Sequence, residues 1–366
     1  MDVGAGMNMG MGMGSHAGTG ADKDAERSEL VDGQQRRIDY LRVSVTDRCN
    51  YRCTYCLPEA GVPHAARAEV LTFEETVRLV SCFARLGVRR LRLTGGEPTV
   101  RRDLPVLVRM LRAIPGLEDI ALSTNGHLLG ELAEPLFRAG VTRLNVSLDT
   151  LDPVRFASIT RGGDLARVRD GLERARGLGF ASIKINTVAV RDFNHGELGE
   201  LCAFAWARGL VPRFIEQMPM ADGALFVPGR FMSAAEIRAE IQAAHPQGTL
   251  VADEAGRRRG AGPARYWRVE EQGDSERVRE RVFGIISPIT EHFCEVCNRV
   301  RLSATGALHT CLAYDDAVDL RGVLWSGGES AVLATIGEAL TGKRPKHGFG
   351  LLGIGGPRKA MIQIGG

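Results

Sequence analysis

From Ile38 onward, short apolar runs alternate with longer amphipathic stretches, and this rhythm limits the fold more than any other feature of the chain. The strand-like runs are IDYLRVSVT, VRRLRLT, DIALST, RLNVSLD, SIKINTVAV and VPRFIEQM. Helix-like segments such as TFEETVRLVSCFARLG and ELAEPLFRAG lie between them, the second closing on Gly140 as a C-cap. Six β-then-α units in succession predict parallel strands joined by right-handed crossovers. An open doubly wound sheet and a barrel-like sheet both satisfy this count. After about Ala244 the rhythm breaks. RYWRVE and RVFGIISPIT read as strands, and a helix is expected from Gly328 to Leu340. The expected organisation is therefore a main unit over 36–245 and a smaller C-terminal unit over 246–366. Met1 to about Gly33 is rich in Met and Gly, then in charge, with no apolar period. A disordered extension over 1–35 is expected there.

A formal net charge of +3 is too small to argue for nucleic acid by itself. No run of eighteen apolar residues is present, so no membrane span is expected. The first residues lack a basic segment followed by an apolar one, so no secretory signal is expected. Six of the eight cysteines fall in two tight clusters. In a chain without an export signal that pattern predicts metal binding in the cytoplasm rather than disulfides. Cys82 and Cys202 lie among apolar residues in helical segments and are expected in the core.

In parallel α/β folds chemistry gathers at the C-terminal ends of the strands. Each predicted strand here runs into something unusual: DRCNYRCTYC, then TGGEP, TNG, NVSLD, Lys184 with Asn186, and a sixth ending near Met218. Singly, GGEP and TNG are turn chemistry. Together, along one predicted edge, they point to a site. The apolar strands also carry isolated cations, Arg42, Arg92, Lys184 and Arg213. A buried charge needs a counter-charge. If these cations face inward, they describe a cavity for a multiply charged anion, and arginine suits phosphate.

The first cysteine cluster is Cys49-x-x-x-Cys53-x-x-Cys56, and the second is Cys294-x-x-Cys297 with Cys311 further on. Each offers three thiols. A structural zinc site would need a fourth ligand, such as His64 for the first cluster, or His309 or His292 for the second. A four-iron cubane held by three thiolates instead leaves one iron open for a chelating molecule. From the residues alone the second cluster allows both.

With Tyr55 ahead of its last cysteine and Gly95-Gly96-Glu97-Pro98 downstream, the first cluster resembles that of the radical S-adenosylmethionine (SAM) superfamily. The second cluster, with NRVR inside it, and the terminal Gly365–Gly366 resemble the branch that cyclises GTP in the first step of molybdenum-cofactor biosynthesis. The match runs from about Arg36 to Gly366. The resemblance implies an incomplete (β/α)6 TIM-like barrel with a C-terminal α+β extension holding a second Fe–S cluster. It implies two [4Fe–4S] clusters, on Cys49, Cys53 and Cys56 and on Cys294, Cys297 and Cys311. SAM would bind the first open iron and contact Tyr55, Gly96, Ser147 and Met218. Its 5'-deoxyadenosyl radical would take hydrogen from the ribose 3' carbon of GTP, and carbon 3' would attack carbon 8. The product would be (8S)-3',8-cyclo-7,8-dihydroguanosine 5'-triphosphate. GTP would meet Arg42, Arg92, Thr124, Lys184, Arg213, Arg299, Val300 and Arg301, with guanine on the second open iron. Arg42, Gly365 and Gly366 would serve catalysis. Gln217 departs from the pattern, which has an aromatic residue there.

The partners implied are GTP, a low-potential electron donor and a downstream cyclic pyranopterin monophosphate synthase; a homodimer is also compatible. Nucleic acid and membrane are not expected. Two competing readings are a peptide- or haem-modifying radical enzyme and a zinc-stabilised nucleic-acid module. The best feature of the latter is RRRGAGPARYW, Arg257 to Trp267.

Overall fold

The computed structural model describes residue 1 and residues 29–254, 262–271 and 281–365. Gly366, Arg257 to Arg259 and most of the Met/Gly-rich tract lie outside the described residues. The packed chain begins by Leu30, which is buried, and Val31 pairs with Arg37.

The six expected strands form as β1 (Tyr40–Ser44), β2 (Arg90–Thr94), β3 (Asp119–Thr124), β4 (Arg143–Ser147), β5 (Ser182–Ala189) and β6 (Val211–Glu216). They pair in chain order, all parallel. The later strands are β7 (Gly248–Ala252), β8 (Arg265–Glu271), β9 (Val282–Ile286), β10 (Arg299–Leu302), β11 (Ala307–His309) and β12 (Val318–Asp319). They join the same sheet at both edges: β9 pairs parallel with β6, and β10 pairs parallel with β1. The outer strands β8, β7, β11 and β12 are added antiparallel. Among the described strands the sheet is open, running from β12 to β7.

Period-two alternation divides each strand between two environments. Leu41, Val43, Leu91, Leu93, Ile120, Leu122, Leu144, Val146, Ile185 and Phe214 enter the hydrophobic core. The intervening residues, Arg42, Arg92, Ser123, Ser147, Asn186 and Arg213, line a cavity on the other face. The isolated cations therefore face inward.

Helix α1 (Phe73–Arg85) begins in a capping box, in which Thr72 Oγ1 accepts from the Glu75 amide and Glu75 accepts from the Thr72 amide. Helix α2 (Leu129–Ala139) ends on Gly140 at φ 112°, the left-handed cap its sequence predicts. Helix α3 (Leu320–Thr341) starts before the expected Gly328. Asp319 caps the earlier turn through the Gly322 amide, and Gly328 is a non-helical break inside the element (φ 69°). No helix among the described residues is long and apolar enough to cross a membrane.

Glu216, fully buried at the end of β6, pins three later points of the chain. It accepts from the amides of Ala234, Ile289 and Thr290 at 2.8–3.0 Å. It also accepts from the hydroxyls of Ser287 and Thr290. One carboxylate thus anchors the loop that leads to the second cysteine cluster. Removing it strands several buried donors, each costing about 1–3 kcal/mol. Glu216→Ala is expected to lower stability by on the order of 4 kcal/mol in equilibrium denaturation, and Glu216→Gln by less.

Candidate active site

All six clustered cysteines line one cavity of about 360 Å³. Arg42, Tyr55, Arg92, Gly96, Thr124, Ser147, Arg213, Met218, Arg299 and Arg301 line it too. Lys184 opens instead onto a small adjoining void of about 20 Å³, which shares Tyr40, Arg92 and Arg213 with the larger one. Val300 turns its side chain into the core, as alternation on β10 requires, so only its backbone is near the cavity. Gly365 is tied in by its carbonyl, which accepts from Arg301 Nη1 at 2.7 Å.

The loop carrying Cys49, Cys53 and Cys56 leaves β1 and lies directly on the GGEP turn. The Gly96 amide donates to the Thr46 carbonyl at 2.8 Å and the Glu97 amide to the Arg48 carbonyl at 2.8 Å. A Cβ on Gly96 would collide with the Arg48 carbonyl. The glycine is therefore demanded by the chain's own cysteine loop. Glu97, 1% exposed, then ties the end of β2 to the end of β3. It accepts from the Thr124 hydroxyl at 2.7 Å and the Asn125 amide at 2.6 Å. The Thr124 hydroxyl also accepts from the Gly126 amide at 3.0 Å, so it is engaged on both sides.

Tyr55 reaches Asp149 beyond β4, donating to its carboxylate at 2.7 Å. Burial pushes the Asp149 carboxyl up to about 6. Burial also pushes the Cys49 thiol up to about 11, and burial with the neighbouring Cys49 and Asp149 pushes Cys56 up to about 12. The second triad differs. Burial works to raise Cys297, but Arg299 and Lys343 outweigh it and bring that thiol down to about 7. All eight cysteines are free. Among the described residues no three His, Cys, Asp or Glu side chains are grouped as one metal ion would require. The thiols of each triad are near enough to act on one another's charge, and both triads face the cavity. Three thiols per triad are a suitable donor set for a multi-iron cluster with one open position.

The parallel register sets cations side by side. Arg42 on β1 is directly opposite Arg301 on β10 and Arg92 on β2. Burial and the neighbouring arginines, Arg301 foremost, hold the Arg42 guanidinium well below the usual arginine range. Burial and Arg299 bring Arg301 down to about 10. Arg213 is aimed by Asn186 Oδ1, at 3.0 Å, and by Asn145 Oδ1. Burial, with Arg213 and Arg92, brings the Lys184 amine down to about 6. This is a cavity with excess positive charge along one wall and two thiol triads.

Sequence reasoning missed Tyr40, and it named Asn145 within NVSLD without giving it the role of aiming Arg213. Tyr40 stands two residues before Arg42 on the same strand face, and its hydroxyl accepts from Arg92. Alternation was the signal available for it.

Residues 43–205 match the Radical SAM superfamily and residues 211–349 match Molybdenum Cofactor Synthesis C. The chain is 44% identical to a GTP 3',8-cyclase of Pelotomaculum thermopropionicum, over 92% of this chain and all of that one. The chain belongs to the GTP 3',8-cyclase family. GTP 3',8-cyclase 1 of Pseudomonas aeruginosa is 43% identical over 89% of this chain and 96% of its own length. Among solved structures, Streptococcus suis SuiB bound to precursor peptide SuiA superposes with a TM-score of 0.56 at 14% identity, covering 87% of this chain and 70% of that one. That likeness shows a shared α/β fold.

The buried Lys184 amine makes stability depend on pH. Its pKa is about 6 in the fold and near 10.4 when unfolded. Between these values the unfolded chain binds more protons, so the stability of the ligand-free protein rises with pH across that window and levels off above it. Lys184→Met should raise the melting temperature near pH 7 and flatten this dependence, as calorimetry across the window would read.

Proposed function

We propose that this protein converts GTP to 3',8-cyclo-7,8-dihydro-GTP, the first step of molybdenum-cofactor biosynthesis. The observation that carries this reading is the row Arg301–Arg42–Arg92, held in register inside the cavity that both cysteine triads line. We read β1 to β6 with their helices as an incomplete (β/α)6 barrel, and the chain from about residue 246 as its auxiliary-cluster extension. Cys49, Cys53 and Cys56 would hold one [4Fe–4S] cluster, and Cys294, Cys297 and Cys311 the other. SAM would lie beside Tyr55, Gly96, Ser147 and Met218. When bound at the first cluster and reduced, it supplies the hydrogen-abstracting radical.

The chain's own residues bind, orient and shield. Arg42, Arg92, Lys184, Arg213, Arg299 and Arg301 would meet the triphosphate and ribose, and Arg is suited to bidentate phosphate contact. Asn145 and Asn186 hold Arg213 in place before substrate arrives. Tyr40 does the same for Arg92. The backbone at Arg299 to Arg301 would present guanine to the second cluster. Gly365, joined to Arg301, would close the site with Gly366, where Arg42 and the two glycines would act in the radical rearrangement. Two electrons per turnover, one to generate the radical and one that with a proton completes the N7–H bond, must come from an external low-potential donor, and the product must pass to a cyclic pyranopterin monophosphate synthase. Six cysteines serving as cluster ligands in place of disulfides would suit a reducing compartment, the cytoplasm.

Anaerobic incubation with SAM, dithionite and GTP tests the reading. One hydrogen leaves carbon 3' and one is gained at nitrogen 7, so the product is an isomer of GTP. Chromatographic retention together with mass should reveal it. Recovery of unchanged GTP from protein loaded with about eight irons would refute the proposal. Arg301→Ala should weaken GTP binding by roughly 30-fold or more. Triphosphate beside Lys184 should restore its proton, so GTP binding near pH 7.5 should take up protons. Calorimetry in buffers of different ionisation heat would read that uptake, and Lys184→Met should abolish it.

A further inference from the structure

Two buried cations stand behind the second triad and do not line the cavity. Arg36, 8% exposed, donates Nη1 to the carbonyls of Cys294 at 2.8 Å and Pro345 at 2.9 Å. Its Nη2 donates to the Arg344 carbonyl at 2.9 Å, and its Nε pairs with Asp32 at 2.7 Å. Lys343, 3% exposed, donates Nζ to the carbonyl of Thr310, the residue before Cys311. The segment 343–345 is therefore strapped to both cysteine loops, to one through Arg36 and to the other through Lys343.

We propose that Arg36 and Lys343 are positioning residues of the second triad, fixing the backbone that carries Cys294 and Cys311 and supplying a positive field that raises the reduction potential of the cluster held there. This rests on the reading of that triad as a cluster site. Cluster potentials respond to nearby charge and hydrogen bonding, and the groups behind the ligands set both. The two triads have opposite surroundings. Asp149 and Glu97 lie near the first. Arg36, Lys343 and Arg299 surround the second. Asp32 offsets the charge of Arg36. Lys343 meets a neutral carbonyl, so its field is the stronger one at the cluster.

The test uses the full chain reconstituted anaerobically, with iron analysis and potentiometric titration followed by electron paramagnetic resonance. Lys343→Gln keeps a donor for Thr310 and removes the charge. It should retain about eight irons and shift only the second cluster's midpoint to lower potential, while Lys343→Arg restores it. Arg36→Gln, which cannot reach all three carbonyls, should fall toward about four irons per chain with the first cluster retained. A second-cluster midpoint in Lys343→Gln equal to the wild type's overturns the proposal, and it can be read whether or not Arg36→Gln folds. A wild-type chain that takes up only about four irons overturns instead the cluster assignment beneath it.

Discussion

Adjacent strands lie under 5 Å apart, and a parallel ladder in register fixes which side chains sit abreast. Here it places three arginines in one lateral row, on β10, β1 and β2. Left alone, such a row repels itself and resists desolvation, and the ligand-free protein bears that cost in the lowered proton affinity of Arg42 and Arg301. The apolar face of the same strands offsets it, since Leu41, Val43, Leu91 and Leu93 are fully or almost fully buried. The site is thus a self-repelling row of charge held in place by a well-packed core, suited to a polyanion.

Two buried carboxylates do at the strand ends what the ladder does in the middle. Glu97 gathers the turns after β2 and β3, and the cysteine loop rests on the glycine beside it. Glu216 gathers the start of the helix Ala234–Ala244 and the loop after β9. Each sits where one cysteine triad approaches the cavity. Both are engaged by the chain's own donors, Glu97 while also lining the cavity.

The strands, the inward cations and the cysteine triads were legible in the sequence because each depends on local period or spacing. Arg42, Arg92 and Arg213 could be placed on one face by alternation alone. The same rule, applied to Arg299-Val300-Arg301, already puts Val300 on the core side. What escaped depends on distant pairing. Residues near β1 give no hint that β10 will lie beside it, so the row of three arginines could not be seen. Alternation groups Lys184 with the other cations, but its separate void depends on Tyr40 and Arg213 arriving from other strands. Arg36, at the start of the main unit, looks like one more surface charge until residues 343–345 close over it.

The sheet takes both of its inner neighbours, β9 and β10, from the last third of the chain. Asp39 and Asn298, hydrogen-bonded beside the β1–β10 pair, are 259 residues apart. During synthesis the six-strand unit must therefore wait with two open flanks until its final partners emerge. Such long-range pairing is slow, and unpaired edges invite association with other chains. A product that ends before β9 would keep the six parallel strands and the helices between them, yet lose helix α3 from the core and present two adhesive margins. Failure of this protein in the cell should accordingly show itself as aggregation of incomplete chains before it shows as loss of chemistry.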